Sequence, residues 1–168
     1  MMPRHAGPVA LLVAVLGMAW PDIGAAAEPA LLALSAGVAG PAEPGERAAE
    51  LGLEYSPALA WWLVRPKFGL LATADGAAYG YGGIALDLPL SAHLMVTADT
   101  ALGAYRRGGG VDLGHWLMFR SGVEAAWRWA DASRLGLGLY HMSNAGLDDR
   151  NPGQQSVVLT YTLPLSGR

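Results

Sequence analysis

The stretch Arg134-Leu135-Gly136-Leu137-Gly138-Leu139-Tyr140-His141-Met142-Ser143 alternates leucine with small, polar or aromatic residues. Successive side chains of a β-strand point to opposite faces, so this period of two predicts a strand with one leucine face. The same parity puts His141 and Ser143 on the leucine face. At a rise of about 3.3 Å per residue their Cα atoms would lie roughly 6.6 Å apart. An imidazole and a hydroxyl at that spacing suit a nucleophile and its general base.

Similar alternation recurs along the rest of the chain, in pieces of about ten residues separated by Gly, Pro, Asp and Ser. After Glu28 no stretch has a convincing helical period. We predict strands near residues 31–40, 47–55, 61–72, 77–87, 92–105, 116–129, 134–143 and 155–165. The connections alternate between longer and shorter, as in bacterial outer-membrane barrels with long external loops and short periplasmic turns. The predicted fold is therefore all-β, an eight-stranded antiparallel transmembrane β-barrel formed by residues 28–168.

Composition supports a surface that partly faces lipid. Only 15% of the 168 residues are charged, against about 25% in an average soluble domain. The net charge of −3 and the lack of a basic stripe exclude nucleic acid as a partner. The chain has no cysteine, so a closed barrel rather than disulfides would hold it together.

The N-terminal residues 1–27 have the pattern of a signal peptide. Arg4 and His5 form a short basic head, an apolar run follows, and Ala25-Ala26-Ala27 before Glu28 fits a cleavage site. The apolar run has only about 13 residues, whereas a spanning helix needs roughly 20. We therefore predict export, and an outer-membrane location for the barrel.

Charged residues on the less apolar strand faces predict a filled lumen. Glu50 and Glu54 share a face of one strand, and Arg65 and Lys67 share the corresponding face of its neighbour. Eight strands enclose only enough room for side chains, so these charges are predicted to pair as a polar plug, and transport is not expected. Aromatic residues near strand ends suggest interfacial girdles: Trp61, Trp62, Trp127, Trp129 and Tyr161. Parity alone leaves open a soluble exported β-barrel that carries a small ligand.

The loop after the quoted strand resembles a known family. His141-Met142-Ser143-Asn144-Ala145-Gly146-Leu147, followed by Asn151-Pro152-Gly153, resembles the active-site segment of the lipid A 3-O-deacylase (PagL) family, a group of outer-membrane barrels that act on acyl esters. Upstream segments are similar to other landmarks of that family: Asp75-Gly76, Gly103-Ala104-Tyr105, Leu113-Gly114 and Phe119-Arg120-Ser121-Gly122.

The resemblance implies an outer-membrane esterase whose active site lies on the outer barrel wall, toward the external leaflet. Its substrate would be the acyl ester at the 3-position of lipid A, in lipopolysaccharide, and the product a 3-hydroxy fatty acid. It implies no metal and no organic cofactor. The implied partners are lipid A and outer-membrane lipid, and a homodimer is possible.

Matched residue by residue, the family pattern gives Ser143 the role of nucleophile and His141 that of general base. Further candidates lie in the segment that would supply oxyanion donors: Asn144, Gly146 and Asn151. Arginines in predicted external loops would bind lipid A phosphates bidentately: Arg106, Arg107 and Arg150.

The family's third catalytic position holds a glutamate, and here Gln155 occupies it. The parity of Gln155 on the last strand is right for its carbonyl to orient the histidine, but an amide does not balance an imidazolium charge. In a serine protease the corresponding loss of charge lowers turnover by about 10⁴. Asp148 and Asp149 are alternative carboxylates in the same loop, and Glu124 has the wrong parity. Three alternatives remain: a dyad with an amide orienter, a triad completed by a loop aspartate, or a non-catalytic barrel, structural or lipid-A-binding, that has lost the chemistry.

Overall fold

The computed structural model describes residues 29–40, 42 and 45–165. The predicted signal peptide, residues 1–27, lies outside the described residues, as do Glu28 and residues 166–168. None of the described residues forms a helix long and apolar enough to cross a membrane.

Eight antiparallel strands close into a barrel, because β1 pairs with β8 as well as with β2. The strands are β1 (Ala30–Ala39), β2 (Ala48–Ser56), β3 (Val64–Thr73), β4 (Ala78–Pro89), β5 (Leu94–Arg106), β6 (Leu117–Arg128), β7 (Arg134–Ser143) and β8 (Gln154–Leu165). The predicted fold class is confirmed. We define the external end as the one with the β1–β2, β3–β4, β5–β6 and β7–β8 loops, since external loops of such barrels are the longer ones.

The start of β3 differs most from its prediction. The prediction began it at Trp61, but the strand begins at Val64. Trp61 and Val64 exchange backbone hydrogen bonds of 2.8 and 3.1 Å, and Trp62 between them has a φ of 60°. The chain therefore makes a tight turn where the sequence pattern suggested a continuous strand.

Paired charges fill the lumen. Lys67 Nζ lies 2.7 Å from Glu54 Oε2 and 3.2 Å from Asp99 Oδ2. In a second cluster Asp87 Oδ2 lies 3.1 Å from Arg65 Nε and 3.0 Å from Arg134 Nη1. The remaining cavity is about 70 Å³, enough for a few water molecules. The predicted polar plug is confirmed.

The outer wall is apolar around the whole barrel. Leucines are exposed on opposite sides of it, for example Leu70 on β3 and Leu137 on β7. Trp129 and Tyr161 meet edge to face at the periplasmic end and are both exposed. A soluble protein would bury such a surface, so the wall fits hydrocarbon, and the soluble-carrier alternative is not supported.

Candidate active site

His141 and Ser143 project from the outer wall of the barrel, at the external end of β7. His141 is exposed and Ser143 is partly exposed, on the same face as Leu137 and Leu139. The β7–β8 register places Gln155 directly opposite His141. The side chains of His141 and Ser143 therefore lie on the lipid side of the strand, as its parity predicts, and neither faces the lumen.

The imidazole of His141 is held on two sides. Its Nδ1 lies 3.4 Å from Nε2 of Gln155. On the other side is Gly153, where a Cβ atom would come within 2.7 Å of His141 Cε1 and 3.3 Å of its Nε2. Met142 pairs with Gln154, so the same register, continued by one residue, puts Gly153 opposite Ser143. The Cε1–Nε2 edge of the ring thus lies beside Gly153 at the start of β8, while Nδ1 lies beside Gln155.

The Ser143 hydroxyl itself makes no hydrogen bond within residues 29–40, 42 and 45–165. The strand sets the outward face that Ser143 shares with His141, while a hydrogen bond between the two side chains is not formed here. Hydrogen bonds of catalytic groups are often long before substrate binds and shorten in the complex.

The amide of Gln155 is compatible with either tautomer of His141. An amide nitrogen that donates to Nδ1 leaves the ring proton on Nε2, where it prevents proton uptake from a serine. A half-turn of the amide brings Oε1 to Nδ1, and the carbonyl then accepts the Nδ1 proton and frees Nε2. A carboxylate only accepts, so it would select the second arrangement alone.

The loop after Ser143 is built around Asn144, which is fully buried. Its side-chain nitrogen donates to the carbonyl of Leu113 at 2.9 Å and to that of Arg150 at 2.8 Å. Its Oδ1 accepts from the Gly146 N–H at 2.8 Å, and its own N–H donates to Oδ1 of Asn151 at 3.0 Å. The N–H groups of Asn144 and Gly146 are therefore used inside the loop. This departs from the expectation that these two residues offer oxyanion donors. The buried Asn144 instead uses its hydrogen bonds to hold the loop together.

A tight turn follows directly. Leu147 N–H donates to the carbonyl of Asn144 at 3.1 Å, with φ angles of 54° at Ala145 and 84° at Gly146. Positive φ at both central residues defines a type I′ turn. Within the described residues the Ala145 N–H has no acceptor, and neither has the side-chain nitrogen of Asn151. The sequence analysis did not single out Ala145, because a backbone N–H without an acceptor cannot be recognised from the type of residue that carries it.

The chain is similar to one known protein family in sequence and to several solved barrels in fold. The model of the lipid A 3-O-deacylase (PagL) family matches residues 47–164. The chain belongs to this family. A crystal structure of the outer membrane enzyme PagL superposes with a TM-score of 0.61 at 20% identity, covering 80% of this chain and 99% of that one. A de novo designed transmembrane β-barrel superposes with a TM-score of 0.57 at 11% identity, covering 82% and 98%. At these identities the likeness shows the fold alone, and no curated protein matches significantly.

Membership of the PagL family and the closed barrel together make this an outer-membrane protein. The family match covers β2 to β7 and all of β8 except its last residue, and it includes His141, Ser143 and Gln155.

Two of the three arginines expected near the PagL-type site lie together. Arg107 Nη1 is 3.3 Å from Asp112 Oδ2, and Arg150 Nε is 3.0 Å from the Asp112 carbonyl and 3.7 Å from Oδ2. Both guanidinium groups remain more than half exposed. The contact fixes the β5–β6 loop (residues 107–116) against the β7–β8 loop (residues 144–153).

Arg106 is placed differently from the prediction of an external loop. It is the last residue of β5 and faces outward, beside a groove whose lining includes Leu51, Leu70 and Gly80. That wall, formed by β2 to β5, lies away from β7 and β8. The strand simply continues one residue further than predicted.

The described residues bring no carboxylate to His141. Asp148 caps the backbone N–H of Arg150 at 2.9 Å, and both Asp148 and Asp149 are exposed. Glu124 is buried inside the barrel, packed over Gly136, as its parity predicts. Among the described residues it is Gln155 whose side chain contacts His141 Nδ1. Within the described part of the chain no group of acidic, histidine or cysteine residues is arranged to hold a metal ion.

Proposed function

We propose that this protein hydrolyses the 3-O-linked acyl ester of lipid A, with Ser143 as nucleophile and His141 as general base. The observation that carries this proposal is the outward placement of both groups at the external end of β7. A polar group facing hydrocarbon is costly and needs a reason. An ester that lies at the surface of the external leaflet supplies that reason, and membership of the PagL family supports the same substrate.

In the proposed reaction Ser143 Oγ attacks the ester carbonyl carbon while His141 Nε2 takes the hydroxyl proton. The C–O bond to the sugar then breaks, and His141 returns the proton to the departing sugar oxygen. Water attacks the resulting acyl-serine with His141 again as base, which releases a 3-hydroxy fatty acid and restores Ser143. No metal or organic cofactor takes part in these steps.

The oxyanion of each tetrahedral intermediate needs donors aimed at it. The unpaired N–H of Ala145 and the side-chain nitrogen of Asn151 are our candidates, since the backbone N–H groups of Asn144 and Gly146 already donate to Asn151 Oδ1 and Asn144 Oδ1. Arg107 and Arg150, both in contact with Asp112 in the loops at the external end, are our candidates for binding lipid A phosphates. Arg106 was also predicted to bind phosphate, but it lies at the end of β5, further from His141 and Ser143 than the two loop arginines, and we rank it below them.

The second candidate is a non-catalytic barrel that binds lipid A or stiffens the membrane. The observation that favours it is the amide nitrogen of Gln155 next to His141 Nδ1, since an amide in this orientation goes with the tautomer whose proton is on Nε2, where it blocks proton uptake. A homodimer also remains a prediction, for which the mass of the detergent-solubilised protein is the test.

The deciding experiment is the mass spectrum of lipid A from bacteria that express the full chain. We expect loss of one 3-hydroxyacyl group, and a decrease of about 10³-fold or more in rate with Ser143→Ala and with His141→Ala. Leu139→Ala, on the same face of β7, is the matched control and should keep activity. Unchanged lipid A in cells that carry folded protein in the outer membrane would favour the non-catalytic barrel.

A further inference from the structure

Polar side chains are rare on the outward positions of the described strands. Those positions carry aliphatic, aromatic, proline or glycine residues, apart from six: Thr100, Arg106, Ser121, His141, Ser143 and Gln155. Four of the six are direct cross-strand partners. Gln155 pairs with His141, His141 with Ser121, and Ser121 with Thr100. We call these four residues the polar row.

The row continues past the catalytic groups. Side chains directly opposite each other on neighbouring strands have Cβ atoms about 4.5–5.5 Å apart. Ser121 therefore flanks His141 on the side away from Gln155, and Thr100 lies one strand further. The next partner is Ile84, which is apolar and exposed, so the row ends at β5.

The proposed reaction leaves Ser121 and Thr100 without a role. Both are exposed on the lipid-facing wall, and neither hydroxyl makes a hydrogen bond within the described residues. Placing a hydroxyl in an apolar environment without a partner costs about 1–3 kcal/mol. Phe119 and Val123 flank Ser121 on the same face of β6. A hydroxyl between apolar neighbours is suited to a ligand that is itself mostly apolar and carries one polar group.

We infer that Ser121, extended by Thr100, is a subsite for the hydroxyl group on the acyl chain that is removed. This inference rests on the proposed function, since it places the ester carbonyl at Ser143. Ser143 pairs with Phe119, so Ser121 is its diagonal neighbour, and such neighbours are about 7–8 Å apart. The hydroxyl-bearing carbon of a 3-hydroxyacyl group lies two bonds, about 2.5 Å, from the carbonyl carbon.

The separation of Ser143 and Ser121 therefore matches the length of the reacting end of a 3-hydroxyacyl group. The attacked carbonyl lies close to Ser143 Oγ, two bonds of chain extend from it, and one O–H···O hydrogen bond of about 2.7–2.8 Å completes the span to Ser121. The rest of the acyl chain would run over the apolar residues next to the row. The subsite distinguishes 3-hydroxyacyl esters from unsubstituted ones.

The test uses the purified full chain in detergent micelles and two sugar esters of equal chain length, one with a 3-hydroxyl and one without. We expect the wild type to prefer the hydroxylated ester in kcat/KM. Ser121→Ala should lower that preference about three- to tenfold, the value of one hydrogen bond. Thr100→Val should lower it less. Val123→Ala, on the same face of β6, is the control that should leave the preference unchanged.

An unchanged preference in Ser121→Ala would overturn the subsite. A uniform loss on both esters would also overturn it, and would make Ser121 a positioning residue for His141. If the wild type cleaves neither ester, the proposed function fails, and the subsite is tested by binding instead. The probes are then a 3-hydroxy fatty acid and the unsubstituted acid of equal length, measured by native mass spectrometry. A preference that Ser121→Ala removes supports the subsite, and equal binding of both acids overturns it.

Discussion

The lumen and the outer wall of this barrel both hold polar clusters, but the side chains of the two clusters differ in how far they find partners. In the lumen Lys67 lies within 3.2 Å of carboxylates on two other strands, and Asp87 contacts two arginines. On the outer wall the hydroxyls of Ser121 and Ser143 have no partner within the described residues. Removing one partner of a buried charge pair is strongly destabilising, whereas a costly polar group on a lipid face is a candidate for function. The comparison separates residues that hold the barrel together from residues that are available for chemistry.

The largest effect on stability is expected from breaking the lumen. Lys67→Met removes the ammonium shared by buried Asp99 and partly exposed Glu54, which should reduce the free energy of unfolding by about 3–5 kcal/mol. The measurement is urea unfolding from lipid vesicles. Activity per folded molecule should not change, because the lumen cluster does not touch His141.

The control for this variant neutralises the whole cluster. Combining Lys67→Met with Glu54→Gln and Asp99→Asn removes the stranded charges and should recover much of the lost stability. If Lys67→Met alone is as stable as the wild type, the ion pairs in the lumen do not stabilise the barrel. The contrast between the lumen and the outer wall would then be lost.

The next largest effect is expected on the outer wall, in the activity of a Gly153 variant. Gly153→Ala adds a Cβ that must push the His141 ring, since the contact would be 2.7 Å. A displacement of this kind should lower kcat about 10²-fold, while the positive φ of 71° adds a modest cost in stability. The measurement is kcat of the folded variant on a lipid A ester.

Gly76→Ala is the matched control for Gly153→Ala. Gly76 has a φ of 84°, and a Cβ added there would meet no described atom within 4 Å, so this variant tests backbone strain without touching the ring. Equal losses of activity in the two variants would contradict the claim that Gly153 sets the orientation of His141.

The smallest effect is expected from Gln155→Glu. A carboxylate accepts from Nδ1, selects the productive tautomer and balances the imidazolium, so we expect kcat to rise about tenfold, within the 10⁴ known for such a change in a protease. Gln154→Glu adds the same charge at the neighbouring inward-facing position and serves as control. A gain in neither variant would count against an orienting role for Gln155.

Local patterns in the sequence predicted the barrel and its faces well. Period-two alternation gives the strands, and parity gives the outward face of His141 and the inward face of Glu124, because both depend only on neighbours along one strand. The role of Asn144 was not accessible in this way. Its partner Leu113 lies in another loop, and the pairing of β6 with β7 brings the two loops together. Arg106 was misplaced for a simpler reason, since strand ends are not marked by periodicity.

The filled lumen has a consequence for when the protein can act. The lumen of the described barrel keeps a cavity of only about 70 Å³, too small to pass a lipid, so a lipid reaches the wall that carries His141 by diffusing sideways within the outer leaflet. Under the proposed function, newly exported lipid A would be modified after it has arrived at the cell surface. The liberated fatty acid would remain in the same leaflet, which makes its removal a separate task for the cell.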